Sequence, residues 1–189
     1  RDILARTIYG GQISLAIGIF AAFVEVIFGV LVGAIAGYFG RWIDDLLMRI
    51  TEAMLIIPSL FLLMVLAKAL GGKVPEIHLF GRALSGSVIV IILVIGFTSW
   101  MYLARIIRAN ILSLKELEFI SASRALGVSD ARIIFKHLLP NTIAPIIVTA
   151  TLGVANSILS EAYVSFLGLG VQAPTASWGN MLDSSVKYI

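Results

Sequence analysis

The chain has 189 residues, of which 59% are hydrophobic and only 13% are charged. A soluble domain carries about 25% charged residues, so this composition excludes an ordinary water-soluble globular protein and indicates a membrane protein. The formal net charge is +3, but the Lys and Arg residues are spread between apolar runs instead of clustering on one polar face, which argues against nucleic-acid binding. The absence of cysteine excludes structural disulfides and thiolate metal sites.

The beginning of the chain lacks the features of a signal peptide. It starts with Arg1 instead of Met, and its first long apolar run has neither a basic lead nor a cleavage site of the usual form. We therefore expect a fragment of a longer protein. The length suits one domain, so residues 1–189 are predicted to form a single transmembrane domain.

Four stretches are long and apolar enough to cross a bilayer, which takes about 20 helical residues. They are 13–39, 53–67 with an extension to Leu70, the stretch between Arg82 and Arg105, and the stretch between His137 and Glu161. Because backbone polar groups in lipid must bond within their own segment, these stretches are expected to be helices. The sequence predicts an all-α, polytopic transmembrane helical bundle with four spans.

Small residues recur at every fourth position of the first span. Gly29, Gly33 and Gly37 fall on one face of the predicted helix. Small residues at this spacing let helix backbones approach closely. We interpret this glycine stripe as a packing surface, either within the subunit or between subunits.

Two residues within the spans are candidates for a translocation path. Glu25 lies near the middle of the first span, where a carboxylate costs about 2.5–3.5 kcal/mol to insert and should face protein or water; a packing contact is the alternative. Pro58 is expected to kink or break the second helix, as in helices that line transport routes, although a purely structural kink explains it equally well. Glu52 and Glu161 lie at span ends, where interfacial placement costs little.

The connection between the third and fourth spans is predicted to face the cytoplasm, because it carries more Lys and Arg than the connection on the opposite side. Its basic residues are Arg105, Arg108, Lys115, Arg124, Arg132 and Lys136, against Lys68, Lys73 and Arg82. A partly apolar helix is interrupted by Gly127, and Ser129 and Asp130 are typical caps for a second helix over 131–138. An amphipathic helix pair of this size is expected to dock onto a partner.

The uncharged residues 162–182 are not predicted to form a fifth span. Their glycines, Pro174 and a polar cluster indicate a loop or a short re-entrant turn at the membrane surface. Trp42, Trp100 and Trp178 lie near span ends or in loops and are interpreted as interfacial anchors, with a deeper position open for Trp100.

The loop between spans three and four resembles that of the permease subunits of ABC importers, the binding-protein-dependent transport family. Their pattern is E-A-A, three residues, G, nine residues, I, one residue, L-P. This chain meets the spacing with Ser121-Ala122-Ser123, Gly127 and His137-Leu138-Leu139-Pro140. Ser121 replaces the usual Glu and His137 replaces the Ile, while Glu118 offers a carboxylate on the same helical face as Ser121.

The resemblance extends over nearly the whole chain and is to the dipeptide and oligopeptide branch of the family. It is carried by RDILARTIYGGQISLAIG, GAIAGYFGRWIDDLLMRITEAMLIIPSLFL, TSWMYLARIIRA and FLGLGVQAPTASWGNML. It implies a full protein with six spans, of which this fragment lacks the first and the last. Nickel-complex importers share much of the pattern, so dipeptides, oligopeptides and nickel complexes all stay open as substrates.

The resemblance implies that residues 109–140 form a coupling loop that docks into a groove of a cytoplasmic ATPase subunit and relays ATP-driven closure to alternating access. The residues expected to take part in ATPase coupling are Glu118, Ser121, Ala122, Ser123, Leu126, Gly127, Val128, Ser129, His137, Leu139 and Pro140. The expected partners are two ATP-binding subunits, a second permease subunit (homologous or identical), an extracytoplasmic solute-binding protein and membrane lipid. The expected location is the prokaryotic cell (inner) membrane.

The chain is not expected to be an enzyme. It has no phosphate-loop motif, no recognisable nucleophile or paired carboxylates, and no ligand cluster around His78 or His137, so neither a cofactor nor a metal is predicted. One rival hypothesis is a secondary transporter driven by an ion gradient, with Glu25 as its coupling carboxylate. The lack of an obvious inverted repeat argues against it. A passive anchor or assembly factor is the other rival.

Overall fold

Helices make up nearly all of the structure, a computed structural model that describes residues 3–70, 73–75, 77–79, 82–172 and 175–186. In chain order the elements are α1 (Ile3–Phe39), α2 (Arg41–Ile56), α3 (Ser59–Leu70), β1 (Ile77–Leu79), β2 (Arg82–Leu84), α4 (Gly86–Leu114), α5 (Glu118–Ala125), α6 (Asp130–Arg132), a π-helix (Ile133–Leu138), α7 (Leu139–Asn141), α8 (Ile143–Phe166) and α9 (Trp178–Val186). The predicted all-α fold class is confirmed. The small antiparallel hairpin of β1 and β2, which pairs Ile77 with Leu84, was not predicted.

Among the described residues, three helices are long and apolar enough to cross a membrane: α1 with 37 residues, α4 with 29 and α8 with 24. They correspond to the first, third and fourth predicted spans. Several boundaries differ: α1 begins at Ile3 instead of residue 13, α4 continues beyond Arg105 to Leu114, and α8 runs from Ile143 to Phe166 instead of ending at Glu161. Large apolar side chains of α8 are exposed, including Ile147, Val148 and Leu152, as expected for a helix that faces lipid or other membrane helices.

The second predicted span is corrected by the structure. Pro58 breaks it as expected, but the helix before the break begins at Arg41 instead of Ala53. The helix after the break, α3, has 12 residues, too few to cross about 30 Å of hydrocarbon at 1.5 Å a residue. The two helices therefore make a fourth span only as a broken pair.

The chain divides into two compact units, and α1, α4 and α8 each contribute residues to both. The first unit comprises residues 1–24, 57–99 and 152–189. Its core is formed by apolar residues of α1, α3, α4 and the last turns of α8, which are led by the fully buried Ile17, Ile91 and Val164.

The second unit comprises residues 25–56 and 100–151, and the glycine stripe lies at its centre. A Cβ atom added at Gly29 would lie 2.8 Å from the Leu103 side chain, and one added at Gly33 would lie 2.4 Å from the carbonyl oxygen of Ala104. Gly37 lies equally close to Ile111. The predicted packing role of the stripe is confirmed, and its partner is α4 of the same subunit.

The segment after α8 agrees with the prediction that it is not a span, since α8 ends at Phe166 and the next helix begins at Trp178. Trp178 is partly exposed, but Trp100 is buried among apolar side chains of the second unit, so it takes the deeper position. Arg1 and Pro174, which the sequence analysis named, lie outside the described residues.

Candidate functional site

The coupling loop consists of two helical arms that meet at a glycine. The first arm is α5, and the second runs through α6 and the π-helix. The amide of Val128 donates to the carbonyl of Ser123, and that of Gly127 donates to Arg124. This pair of bonds is a Schellman motif, which needs a left-handed residue after the helix. Gly127 supplies it with a φ of +76°, so the predicted interruption of the helix at this residue is confirmed.

The loop is anchored to the membrane helices by buried isoleucine and leucine side chains. Ile120 of the first arm and Ile133 and Leu138 of the second are fully buried, and they belong to one apolar cluster with Ile107 and Ile111 of α4. Burying a side chain of this size contributes about 1.5–3 kcal/mol. Each arm is therefore packed against α4 of the same unit.

The tip of the loop points away from this anchor. Leu126 is 84% exposed, and a side chain added at Gly127 would meet nothing within 4 Å. Ser121, Ala122 and Ser129 are also exposed. The exposed surface of the tip therefore combines small side chains with Leu126 and Arg124.

The remaining predicted coupling residues lie around this tip and along the second arm. Glu118, at the start of α5, and Pro140 are exposed, while Ser123, Val128, His137 and Leu139 are half-buried. The structure thus places the predicted coupling residues between Glu118 and Ser129 together on α5 and the turn that follows it. His137 lies on the second arm, and Leu139 and Pro140 follow it in α7, where Leu139 packs against the anchoring cluster.

The second arm departs from the predicted α-helix over 131–138. Ser129 occupies the N-cap with extended backbone, as predicted, but its side chain makes no capping hydrogen bond. Residues Ile133–Leu138 form a π-helix. Pro140 follows directly, and because proline has no N–H and its ring crowds the carbonyl of the residue four positions before it, a wider turn relieves the conflict.

The two path candidates lie in different units, and neither unit joins them in a site. Glu25 is buried, with 6% exposure, and within the described part of the chain its carboxylate has no hydrogen-bond or ion-pair partner. Pro58 is exposed at the break before α3. In residues 3–70, 73–75, 77–79, 82–172 and 175–186, no group of three or more His, Cys, Asp or Glu residues is placed to hold a metal.

A buried carboxylate that the sequence argument placed at an interface is Glu161. It is fully buried, and it accepts hydrogen bonds from the hydroxyls of Ser14 on α1, at 3.0 Å, and Ser165 on α8, at 2.6 Å. The Ser14 hydroxyl oxygen in turn accepts a hydrogen bond from the backbone amide of Trp178, and the Ser165 hydroxyl oxygen accepts one from the backbone amide of Val171. The interfacial interpretation of Glu161 was wrong, because hydrophobicity along the chain does not reveal that two serines and two amides converge on this position.

An ion pair fixes α2 against α4 in the second unit. Two nitrogens of the Arg108 guanidinium group, Nε and Nη2, donate hydrogen bonds to the Asp44 carboxylate at 2.5 and 2.6 Å. Beside the pair lies an open cleft of about 940 Å³ whose charged lining includes Arg49, Glu52 and Arg105. Arg108, counted as a loop charge from the sequence, is therefore a packing residue of the helix.

Residues 29–188 match the protein family described as binding-protein-dependent transport system inner membrane component. The chain is 45% identical over all its 189 residues to the dipeptide transport system permease protein DppC of Alkalihalophilus pseudofirmus, of which it covers 58%. It is 40% identical, again over its whole length, to the oligopeptide transport system permease protein OppC of Bacillus subtilis, of which it covers 57%. The chain thus spans little more than half the length of these curated relatives.

Solved structures share the fold. A crystal structure of an amino acid ABC transporter with histidines matches 98% of this chain and 81% of its own chain, with a TM-score of 0.65 at 20% identity. An inward-facing MetNI methionine ABC transporter matches 100% of this chain and 89% of its own, with a TM-score of 0.67 at 19% identity.

The fold and the sequence matches together define a membrane-embedded permease component. The chain belongs to the binding-protein-dependent transport system inner membrane component family, which confirms the resemblance seen in the coupling loop. Membership places the chain in a membrane as a multi-pass protein. A permease component is not itself catalytic.

Proposed function

We propose that this chain is the central part of a permease subunit of an ATP-driven importer for dipeptides, oligopeptides or similar small solutes. ATP is hydrolysed by two cytoplasmic partner subunits, and a second permease subunit completes the pathway. An extracytoplasmic solute-binding protein delivers the solute. Relatives named as dipeptide and oligopeptide permeases at 45% and 40% identity support the choice of substrate class.

The observation that carries the proposal is the contrast between the anchored arms and the exposed tip of the coupling loop. Leu126 is 84% exposed, whereas Ile120, six positions earlier on the same arm, is fully buried. Leu126 stands on a rigidly packed support, and its exposure to water forgoes about 1.5–3 kcal/mol of burial. A docked partner recovers it.

The transmission follows from the packing. Closure of the ATPase subunits displaces the tip, and the tip cannot move independently because the Schellman motif joins it to both arms. The arms move α4 through Ile107 and Ile111, and α4 carries α1 through the glycine stripe. Close-packed interfaces of this kind transmit displacement instead of absorbing it.

The test is purification of the tagged full-length protein from its host membranes in mild detergent, with the co-purifying chains quantified by mass spectrometry. We expect an ATPase with a phosphate-loop motif in near-equal amount. Leu126→Ala should lower its recovery about 10-fold or more, as loss of a buried anchor does at an interface. Leu152→Ala is the matched control, because Leu152 is 61% exposed on α8, away from the loop.

Recovery of the wild-type chain without any ATPase, in several detergents, would contradict the proposal and favour an ion-driven transporter with Glu25 as its coupling acid. A complementary test inserts one residue after Gly127, in reconstituted vesicles. We expect ATP hydrolysis to continue without solute uptake, because the insertion breaks the Schellman geometry that aligns the arms. Normal uptake per ATP in that variant would exclude the loop from coupling.

A further inference from the structure

Tyr38 lies where the last turn of α1 meets the coupling loop. Tyr38 is buried, with only 7% of its surface exposed. It belongs to the same apolar cluster as Ile120 of the first arm and Ile133 of the second. Directly after it the helix ends, since Gly40 and Arg41 both adopt positive φ. The backbone of Tyr38 is therefore held in α1, and its ring is held by apolar packing.

The two ends of the Tyr38 side chain contact different arms of the loop. Its hydroxyl donates to Oδ1 of Asp130, the first residue of the second arm, at 2.5 Å. Over its ring lies the guanidinium group of Arg124, in the last turn of the first arm, 5.1 Å from the ring centroid. Such a distance is within the range of a cation–π interaction. One side chain thus contacts the residues on both sides of Gly127.

The joint between the arms needs such a constraint. A Cβ atom added at Gly127 would meet nothing within 4 Å, so tertiary packing adds no restriction to the two backbone hydrogen bonds of the Schellman motif, and glycine is the residue with the widest choice of backbone conformations. A hydrogen bond to an ionised carboxylate is among the stronger directional contacts in proteins. Together with the ring contact, it restricts the angle at which the two arms meet.

A second contact ties the start of the loop to the same turn of α1. The Lys115 ammonium group donates to the carbonyl oxygen of Gly37 at 3.0 Å. This carbonyl has no partner farther along its own helix, because α1 ends at Phe39 and the last carbonyls of a helix lack intrahelical donors. The last turn of α1 therefore contacts the loop at its beginning and on both sides of its joint.

We propose that Tyr38 is a positioning residue for coupling: it sets the angle between the two arms and links the docking tip directly to α1. The inference rests on the proposed function of the loop, since only a docked tip has motion to transmit. It adds a route from tip to α1 that bypasses α4 and the glycine stripe. The route uses two contacts of Tyr38, the hydrogen bond of its hydroxyl and the contact of its ring with Arg124. Tyr38→Phe removes the first contact and keeps the ring.

The test compares Tyr38→Phe, which removes only the hydroxyl, with Asp130→Asn, which keeps an acceptor but removes its charge. In the purified transporter complex, we expect Tyr38→Phe to speed amide hydrogen exchange within 126–133 by about 10- to 100-fold, in line with the loss of one hydrogen bond to a charged group. In vesicles, the ATP consumed per solute should rise while the amount of bound ATPase stays unchanged. Tyr163→Phe is the matched control, because Tyr163 is 54% exposed on α8.

The double variant of Tyr38→Phe and Asp130→Asn tests whether the two residues act through one bond. If they do, its effect on exchange equals that of Tyr38→Phe alone, because the bond can be lost only once. Additive effects would overturn the inference, as would wild-type exchange together with wild-type coupling in Tyr38→Phe. Should Tyr38→Phe fail to fold, as judged by size-exclusion chromatography, Asp130→Asn with its exposed side chain decides the same question.

The failure of this inference differs from the failure of the proposed function. Absence of an ATPase from the wild-type preparation rejects the function and, with it, the coupling role of Tyr38. Presence of the ATPase with unchanged exchange and unchanged ATP per solute in both single variants rejects only the role of Tyr38.

Discussion

Glu161 is the most deeply buried charged side chain among the described residues, and its surroundings explain how it is tolerated. Each carboxylate oxygen accepts a hydrogen bond from one serine hydroxyl, and each of these serine oxygens accepts a hydrogen bond from one backbone amide. The carboxylate therefore organises α1, α8, the turn after α8 and the start of α9 around one point. A buried acid without such donors would be strongly unfavourable.

We predict that Glu161→Ala destabilises the full-length protein by about 2–4 kcal/mol, because it leaves two buried hydroxyls without their acceptor and creates a cavity. Glu161→Gln keeps the shape and one acceptor, so its loss should be clearly smaller. Thermal unfolding in detergent measures both. Glu52→Ala serves as the control, since Glu52 is 59% exposed and its carboxylate lies 3.7 Å from Arg49. Equal losses for Glu161→Ala and Glu52→Ala would refute the structural role.

At the level of single residues, the sequence predicted the positions that depend on backbone geometry better than those that depend on distant partners. Gly127 and Pro58 act within their own turns, so local pattern was enough to assign a joint and a break. The environment of Glu161 depends on Ser14, which lies at the other end of the sequence. No periodicity in one sequence indicates such a pairing.

The glycine stripe shows at the level of elements how α1 and α4 come close together. Gly33 faces the backbone of α4, and the gap leaves no room for one more carbon atom. We predict that Gly33→Ala destabilises the protein by about 1–3 kcal/mol through overpacking, although alanine is the better helix former by about 1 kcal/mol. Thermal unfolding again provides the measurement.

The control for this prediction is Ile35→Val, a change of one methyl group on the exposed face of the same helix, where Ile35 is 40% exposed. Its effect should be within about 0.5 kcal/mol. A stabilised Gly33→Ala variant would mean that propensity outweighs packing at this contact and that the two helices separate easily.

The elements that sequence reasoning placed correctly are those with a strong hydrophobic signal. α1, α4 and α8 are long and apolar, so their existence followed from hydropathy, although the ends of α4 and α8 did not. α2 was missed in its first turns because Arg41, Asp44 and Asp45 interrupt the apolar pattern. The Asp44 carboxylate is paired with Arg108 of α4. This tertiary contact lets α2 begin with charged residues, which composition alone argues against.

At the scale of the whole molecule, the orientation in the membrane is still a prediction. The excess of Lys and Arg in the coupling loop places that loop in the cytoplasm. Since the chain contains no cysteine, single cysteines can report sidedness directly. We predict that Ser129→Cys is labelled by a membrane-impermeant thiol reagent only in inside-out vesicles. Thr175→Cys, in the segment after the α8 span, should be labelled only in right-side-out vesicles or intact cells.

Labelling of Ser129→Cys from outside would invert the orientation and remove the loop from reach of any cytoplasmic ATPase. Labelling of both positions from the same side would instead show that α8 does not cross the membrane.

The fold class could be predicted from the composition, and the family could be recognised from several separated segments of the sequence that occur in the right order. The division into two units could not be predicted, because it depends on which parts of α1, α4 and α8 pack together.

The exposed tip of the coupling loop also bears on how the subunit is made. A copy that has not yet met its partner presents Leu126, and beside it the 43% exposed Phe119, to the aqueous phase. Exposed apolar groups of this kind favour aggregation and recognition by the machinery that removes unfolded chains. Unassembled copies should therefore be shorter-lived than assembled ones, so that the supply of the partner sets how much of this subunit accumulates.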